Sequence, residues 1–164
     1  MEVKIRKAIF GDSKAILELI IELAVFEKEP EAVDVSLEDI KRDGFGENPK
    51  FQCFVAVVNE QVVGMALFYP RYSTWKGPTF HLEDLIVTAS MKGKGIGTKL
   101  YSAFIEYGQQ EGVHRIEWAV LDWNEPAISF YKKSGARVLS DWFTVQMNKQ
   151  QMNAYLLKNK KKDQ

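Results

Sequence analysis

Ile86-Val87-Thr88-Ala89-Ser90-Met91-Lys92-Gly93-Lys94-Gly95-Ile96-Gly97-Thr98-Lys99-Leu100 is the stretch on which the fold turns. It leaves an apolar run, passes three alternating glycines and enters a new amphipathic pattern. A strand that becomes a helix through Gly93, Gly95 and Gly97 brings several backbone N–H groups to one point with no side chains in the way. The helix start adds partial positive charge there. Such a bend is a phosphate cradle, and Lys92, Lys94 and Lys99 surround it with mobile cations that suit a ligand carrying several phosphates. The plainer reading, a tight turn and nothing more, stays open on spacing alone. A nucleotide-hydrolysing loop needs four residues between its first two glycines and then Lys and Ser/Thr, whereas the order here is Gly97-Thr98-Lys99. A dinucleotide fingerprint needs G-x-G-x-x-G; this chain has G-x-G-x-G, and the acid about 20 residues on, Glu117, falls in mid-strand.

Outward from that loop, strand and helix patterns alternate. Val3 and Ile5 alternate with Lys4 and Arg6 as in a half-buried strand, and Gly11-Asp12-Ser13 supplies an N-cap. Ile16, Leu19, Ile20 and Leu23 form the apolar face of a helix lasting to about Phe26. Ser36-Leu37-Glu38-Asp39 opens a short second helix, which Asp43-Gly44-Phe45-Gly46 ends. Phe51 to Val58 and Gln61 to Tyr69 flank Asn59-Glu60 and read as an antiparallel hairpin. His81 to Thr88 is a strand, Thr98 to Glu111 a helix stopped by Gly112, and Arg115 to Leu121 a strand again. Strand, crossover helix and strand make a parallel unit of the kind that carries ligand at its carboxyl ends. Asn124 caps a last short helix with Pro126 in its first turn and Gly135 at its end. Trp142 to Met147 reads as a strand and Lys149 to Leu157 as a closing helix. The basic run after it, within 158–164, reads as a frayed, solvated tail.

Length and composition bound the function. The 164 residues, 46% of them apolar, are enough for one core, so a single domain over 1–164 is expected. With 22 basic against 22 acidic residues the chain lacks the electropositive surface of a nucleic-acid binder. Its substrate is expected to be small. Cys53 is the sole cysteine, which excludes an internal disulfide and a thiolate metal cluster and fits a cytoplasmic setting. His81 and His114 lack metal-ligand spacing and read as structural or exposed, so no metal is implied. No apolar run reaches the roughly 18 residues of a membrane span, and the first residues read as a strand, so neither anchor nor signal peptide is expected.

Lys92-Gly93-Lys94-Gly95-Ile96-Gly97 after an apolar strand, followed about 27 residues later by Asn124-Glu125-Pro126-Ala127-Ile128-Ser129-Phe130-Tyr131-Lys132-Lys133-Ser134-Gly135-Ala136, resembles the GNAT family of N-acetyltransferases. The family usually has Arg or Gln where this chain has Lys92. The likeness runs further toward the spermidine/spermine acetyltransferase branch and its thialysine acetyltransferase-like members. Glu22 to Lys28, Asp43 to Pro49, Tyr72 to Gly77, Leu82-Glu83-Asp84 and Ala119 to Asn124 carry it. The polyamine enzymes have Asp where this chain has Ser73, which removes a partner for a second, distant ammonium.

The resemblance implies an α/β GNAT fold. Its mixed central sheet has antiparallel N-terminal strands, a parallel central pair splayed around acetyl-CoA, and flanking helices. It also implies acetyl-CoA as cosubstrate, a homodimer, and acetyl transfer to a small lysine-like or thialysine-like primary amine by direct attack on the thioester. A polyamine or diamine acceptor, a protein or peptide amine, and a non-catalytic CoA-binding sensor are the alternatives. An aliphatic ammonium has a pKa near 10.4, so at pH 7 some group must take its proton. Glu83 and Asp84 are adjacent in an extended segment and are expected on opposite faces, with one toward the acetyl carbon. By themselves they also read as two charges at a strand start. The resemblance makes Glu83 the base, through a water, and Asp84 an ammonium-binding group. It makes Tyr131 the proton donor to the departing thiolate, whose bland reading is a buried aromatic. Leu85, Ile86 and Val87 would pair through their backbone with the pantetheine arm. The loop from Lys92 through Gly93, Lys94, Gly95, Ile96, Gly97, Thr98 and Lys99 would hold the pyrophosphate, with Asn124, Ser129, Tyr131 and Lys132 as further cofactor contacts. Phe26, Glu27, Trp75 and Asp84 would line the amine pocket, although Phe26 and Glu27 read equally as a core-helix end and a solvated acid.

Overall fold

The alternation at Val3–Arg6 becomes the first strand of a five-stranded sheet in a computed structural model that describes residues 1–160. Two units are treated in turn, Met1–Ala119 and the segment from Val120 onward. In the first, β1 (Lys4–Lys7), β2 (Gln52–Val58), β3 (Gln61–Ser73), β4 (Gly77–Val87) and β5 (Ile116–Glu117) lie side by side in chain order. The first four pair antiparallel, and β4 with β5 parallel. α1 (Ser13–Phe26) and α2 (Leu37–Phe45) connect β1 to β2, and α3 (Ile96–Gln110) connects β4 to β5.

Each sheet face buries its own cluster, as the period of two requires. Ala56, Phe68, Phe80 and Leu82 meet Leu100 and Phe104 of α3 on one face. Cys53, Val55, Met65, Leu67 and Ile86 meet Ile16 and Leu19 of α1 and Ile40 of α2 on the other. The β2–β3 hairpin turns at Asn59 and Glu60, both at positive φ (48° and 65°), the backbone that matches the twist of paired strands. Ser36 caps α2 through Asp39 N–H as its sequence implies.

Several details depart from the sequence reading, beginning with the strands expected over Gln61–Tyr69 and His81–Thr88, which extend to Ser73 and back to Gly77 and close a second hairpin. Asp12 is the N-cap residue of α1, but its side chain makes no cap hydrogen bond to that helix; a 3-10 turn, Phe10–Asp12, precedes it, and the Asp12 carboxylate accepts the Ile9 N–H at 2.8 Å instead. Arg6 grips the same carboxylate at 2.6 and 2.9 Å. The strand expected from Arg115 to Leu121 keeps two residues, because β4 offers it partners at Phe80 and His81 alone among the described residues. Trp142–Met147 forms no strand. Finally, β4 contains a bulge: Leu67 faces Asp84 and Phe68 faces Leu82, so Glu83 has no opposite number.

The bulge reverses the pleat. Phe80 and Leu82 lie on the α3 face before it, yet Ile86 lies on the α1 face after it. An inserted residue shifts the alternation by one and does this.

In the second unit, α4 (Glu125–Lys133) starts at Asn124, whose side chain accepts the Ala127 N–H, and stops before Gly135 at φ 91°. α5 (Lys149–Lys160) opens with a reciprocal cap between Asn148 and Gln151 at 2.8 and 2.9 Å. Backbone of the expected tail continues α5 to residue 160, and its remainder lies outside the described residues.

Candidate active site

Glu83 and Asp84 were expected on opposite faces; the bulge brings both to the α1 face. Asp84 stands opposite Leu67, a member of the α1-side cluster. Glu83 accepts a hydrogen bond at 2.8 Å from the hydroxyl of Tyr69, which follows Leu67 by two residues and so shares its face. Burial pushes the Asp84 carboxyl up to about 7, and the charges of Glu83 and then Glu27 add to it. Burial also raises Glu27, with the Glu83 charge second. Glu27 closes α1, so three carboxylates from a helix end and one bulged strand are close enough to repel. That arrangement attracts a cation and offers a proton acceptor.

α1 is tied to the glycine loop beside it. Glu22 accepts the Ala89 N–H at 2.8 Å, and Lys92 Nζ lies 4.5 Å over the Phe26 ring. The loop itself reaches α3 through Gly95 at φ 75°, where a side chain is strained, with no side-chain cap and no acid in the first turn. Added Cβ atoms at Gly93 and Gly95 meet nothing within 4 Å. The N–H groups of Ile96, Gly97 and Thr98 therefore head a helix open to an anion. Lys94 leans back on Ser90 O and Met91 Sδ at 3.4 and 3.3 Å, and Lys99 sits in the first turn of α3.

Because β5 ends at Glu117, the β4 edge past His81, including Leu85, Ile86 and Val87, has no strand neighbour on that side among the described residues. Arg71 forms an ion pair with Glu117. Asn124, Ser129, Tyr131 and Lys132 all belong to α4 or its cap in the second unit, where Tyr131 is buried and its ring meets Phe130 edge-on. Trp75 is not gathered with the carboxylates: it tips the β3–β4 hairpin, 81% exposed. Glu83 lies six positions along β4 from Gly77, roughly 20 Å of strand. Ser73 holds that tip, its hydroxyl accepting the Trp75 and Lys76 N–H groups. Sequence reasoning missed Tyr69 and took His81 for structural; the i, i+2 spacing of His81 and Glu83 was the available signal.

The acetyltransferase (GNAT) family matches the chain over residues 14–136, which take in the loop, the bulged strand and α4. The chain belongs to the GNAT family. It is therefore an acetyltransferase, and GNAT enzymes carry acetyl groups from acetyl-CoA to amines. This GNAT chain is 42% identical over 147 residues to a thialysine N-epsilon-acetyltransferase of Sus scrofa, covering 85% of this chain and 86% of that one. It is 35% identical over 159 residues to the spermidine/spermine N(1)-acetyltransferase-like protein 1 of Homo sapiens, covering 91% of this chain and 23% of that one. Among solved structures it resembles an integron cassette protein from V. cholerae, with a TM-score of 0.79, 23% identity, and 95% and 98% of the two chains covered. That likeness speaks for the GNAT fold, whose mixed sheet and flanking helices are those described above. The uncapped helix start, the side-chain-free glycines and the open β4 edge fit a cofactor with a diphosphate and an amide-bearing arm.

Proposed function

We propose that this chain acetylates a small primary amine, lysine-like or thialysine-like, and works in the cytoplasm as a homodimer. The observation that carries the reading is the trio of carboxylates, Glu27, Glu83 and Asp84, at the β4 bulge. Glu27 and Asp84 hold the ammonium by charge, with Phe26 beside them. Glu83, whose side chain is half exposed and reachable by water, takes the proton directly or through one water. Acetyl-CoA, when bound, supplies an acetyl thioester open to attack by the neutral amine. Lys92 to Lys99 and the α3 N-terminus hold its diphosphate, and the Leu85–Val87 backbone its arm. Asn124, Ser129 and Lys132 are further candidate contacts for the cofactor. Tyr131 donates a proton toward the leaving sulfur.

The thialysine enzyme of Sus scrofa supports this acceptor by its name. Ser73 supports it too, since a hydroxyl occupied by turn N–H groups offers no charge to a distant second ammonium. Three carboxylates favour a diamine or polyamine as the second reading. The homodimer draws support from Trp142 and Phe143, 70% and 90% exposed in a stretch without a strand partner among the described residues. A second copy would bury them. A cytoplasmic setting agrees with one buried free cysteine, and no described helix is long and apolar enough to cross a membrane.

The test is acetyl-CoA-dependent thiol release against thialysine, lysine, short diamines, spermidine and a no-amine blank, with Glu83→Gln and Tyr131→Phe alongside. Selective release with thialysine or lysine, reduced about 100-fold in Glu83→Gln, is the expected result. Selectivity for spermidine moves the acceptor to polyamines. No release above blank despite acetyl-CoA binding overturns the small-amine reading in favour of a sensor or a protein acceptor.

A further inference from the structure

Tyr69 and His81 have no part in the chemistry above, yet both face Glu83. They are direct partners across the β3–β4 ladder, and their rings stack with centroids 5.3 Å apart at 27°. The Tyr69 hydroxyl donates to Glu83 Oε2 at 2.8 Å, and His81 Nε2 lies 3.7 Å from the same oxygen. His81 Nδ1 is buried without a hydrogen-bond partner among the described residues. The proton of a neutral ring is therefore assigned to Nε2, the nitrogen on the Glu83 side. Oε2 thus accepts one hydrogen bond, from Tyr69, with the His81 Nε2 side 3.7 Å away as an electrostatic neighbour, while Oε1 has no hydrogen bond among the described residues.

Glu83 needs such a hold. As the inserted residue of a bulge it lacks a cross-strand partner to fix its side chain. Glu27 on α1 and Asp84 on β4 both repel it, and nothing in that repulsion keeps it near an acceptor amine. Left to these forces a half-exposed carboxylate swings toward solvent.

We infer that Tyr69 and His81 are positioning residues for Glu83, which fix Oε2 and present Oε1 to the proton of the amine or its relay water. The inference rests on Glu83 being the base. Tyr69→Phe keeps the ring stack and removes the hydroxyl; His81→Phe keeps the stack and removes the Nε2–H. Each is measured alone and combined with Glu83→Gln, following kcat, the KM of amine and acetyl-CoA, and the melting temperature. Tyr69→Phe is expected to lower kcat about tenfold and His81→Phe about threefold, with the acetyl-CoA KM and melting temperature unchanged. Neither should lower kcat further in the Glu83→Gln background, where no base remains to position. Unchanged kcat in Tyr69→Phe, or losses that multiply with Glu83→Gln, overturns the inference while leaving the base in place. Full turnover by Glu83→Gln alone removes the base assignment, and the positioning role goes with it.

Discussion

At the scale of single residues, Asp84 carries the sharpest consequence. With its carboxyl pushed up to about 7 by burial, then Glu83 and Glu27, it holds a proton in much of the free protein at neutral pH. An ammonium beside it favours the charged form, so binding the amine expels that proton. Calorimetry at pH 7 in buffers of different ionisation enthalpy should register proton release on amine binding, and a buffer-independent heat would contradict it. The same shift acts on folding. Asp84 binds its proton more tightly folded than unfolded, so its effect on stability is neutral below about pH 4 and turns unfavourable as pH rises toward 7. Each pH unit over which it is so constrained costs about 1.4 kcal/mol. Asp84→Asn should therefore melt higher than the parent at pH 8 and equal it at pH 4. Glu27, Glu83 and Asp84 were legible as candidates through the family resemblance, since by pattern alone they read equally as a solvated acid and two charges at a strand start. Their shared side was not, since alternation assumes an unbroken ladder and a one-residue insertion leaves no mark in composition. Tyr69 and His81 were hidden for a related reason: cross-strand pairing is set by register, which the hairpin tip and the bulge decide together.

Among the elements, α1 and α3 flank the β4 residues of the candidate site, and each depends on its first turn. The Arg6–Asp12 pair anchors the approach to α1 with both guanidinium nitrogens and the Ile9 N–H on one buried carboxylate. Asp12→Ala leaves Arg6 and that N–H without their partner and should cost about 3 kcal/mol in chemical denaturation. The hydrogen bond from Arg6 holds the Asp12 carboxyl below its ordinary range. Its contribution is therefore present above about pH 4 and drains away as pH falls further. Gly95→Ala forces a Cβ into a left-handed backbone at the start of α3, which costs about 1 kcal/mol and disturbs the N–H cluster. Acetyl-CoA affinity should fall more than stability does; equal affinity in titration calorimetry would mean the diphosphate sits elsewhere. Helices and the β2–β3 hairpin were readable because their periods and turn are local signals, whereas the β3–β4 hairpin, closing at Ser73 and Gly77, carries no such turn signature and was not read. Trp118 to Leu121 and Trp142 to Met147 were misread because alternation marks a capacity to pair, and a strand also needs a neighbouring backbone. β4 supplies one for two residues of β5, and the later segment has none among the described residues.

For the whole molecule, the exposed Trp142, Phe143 and Val145 frame the assembly question. Sedimentation equilibrium is expected to give twice the 18.8 kDa chain mass, and Trp142→Ser with Phe143→Ser to return it to one chain. A monomeric parent would show that these side chains serve something other than a second copy. Fold class was legible at this scale because the order of patterns and the glycine loop are properties of the whole sequence, whereas association is a property of surfaces. One contact links the two ends of the proposed reaction. Lys92 belongs to the loop proposed for the diphosphate yet rests on Phe26, one residue before Glu27. An anion that draws the lysine off the ring alters the wall of the amine pocket, and an amine that competes for the ring alters the lysine. Such a shared element makes the two affinities reciprocal: whatever factor acetyl-CoA applies to amine binding, the amine must apply to acetyl-CoA. A single cation–π contact then couples the two binding events equally, whichever substrate enters first.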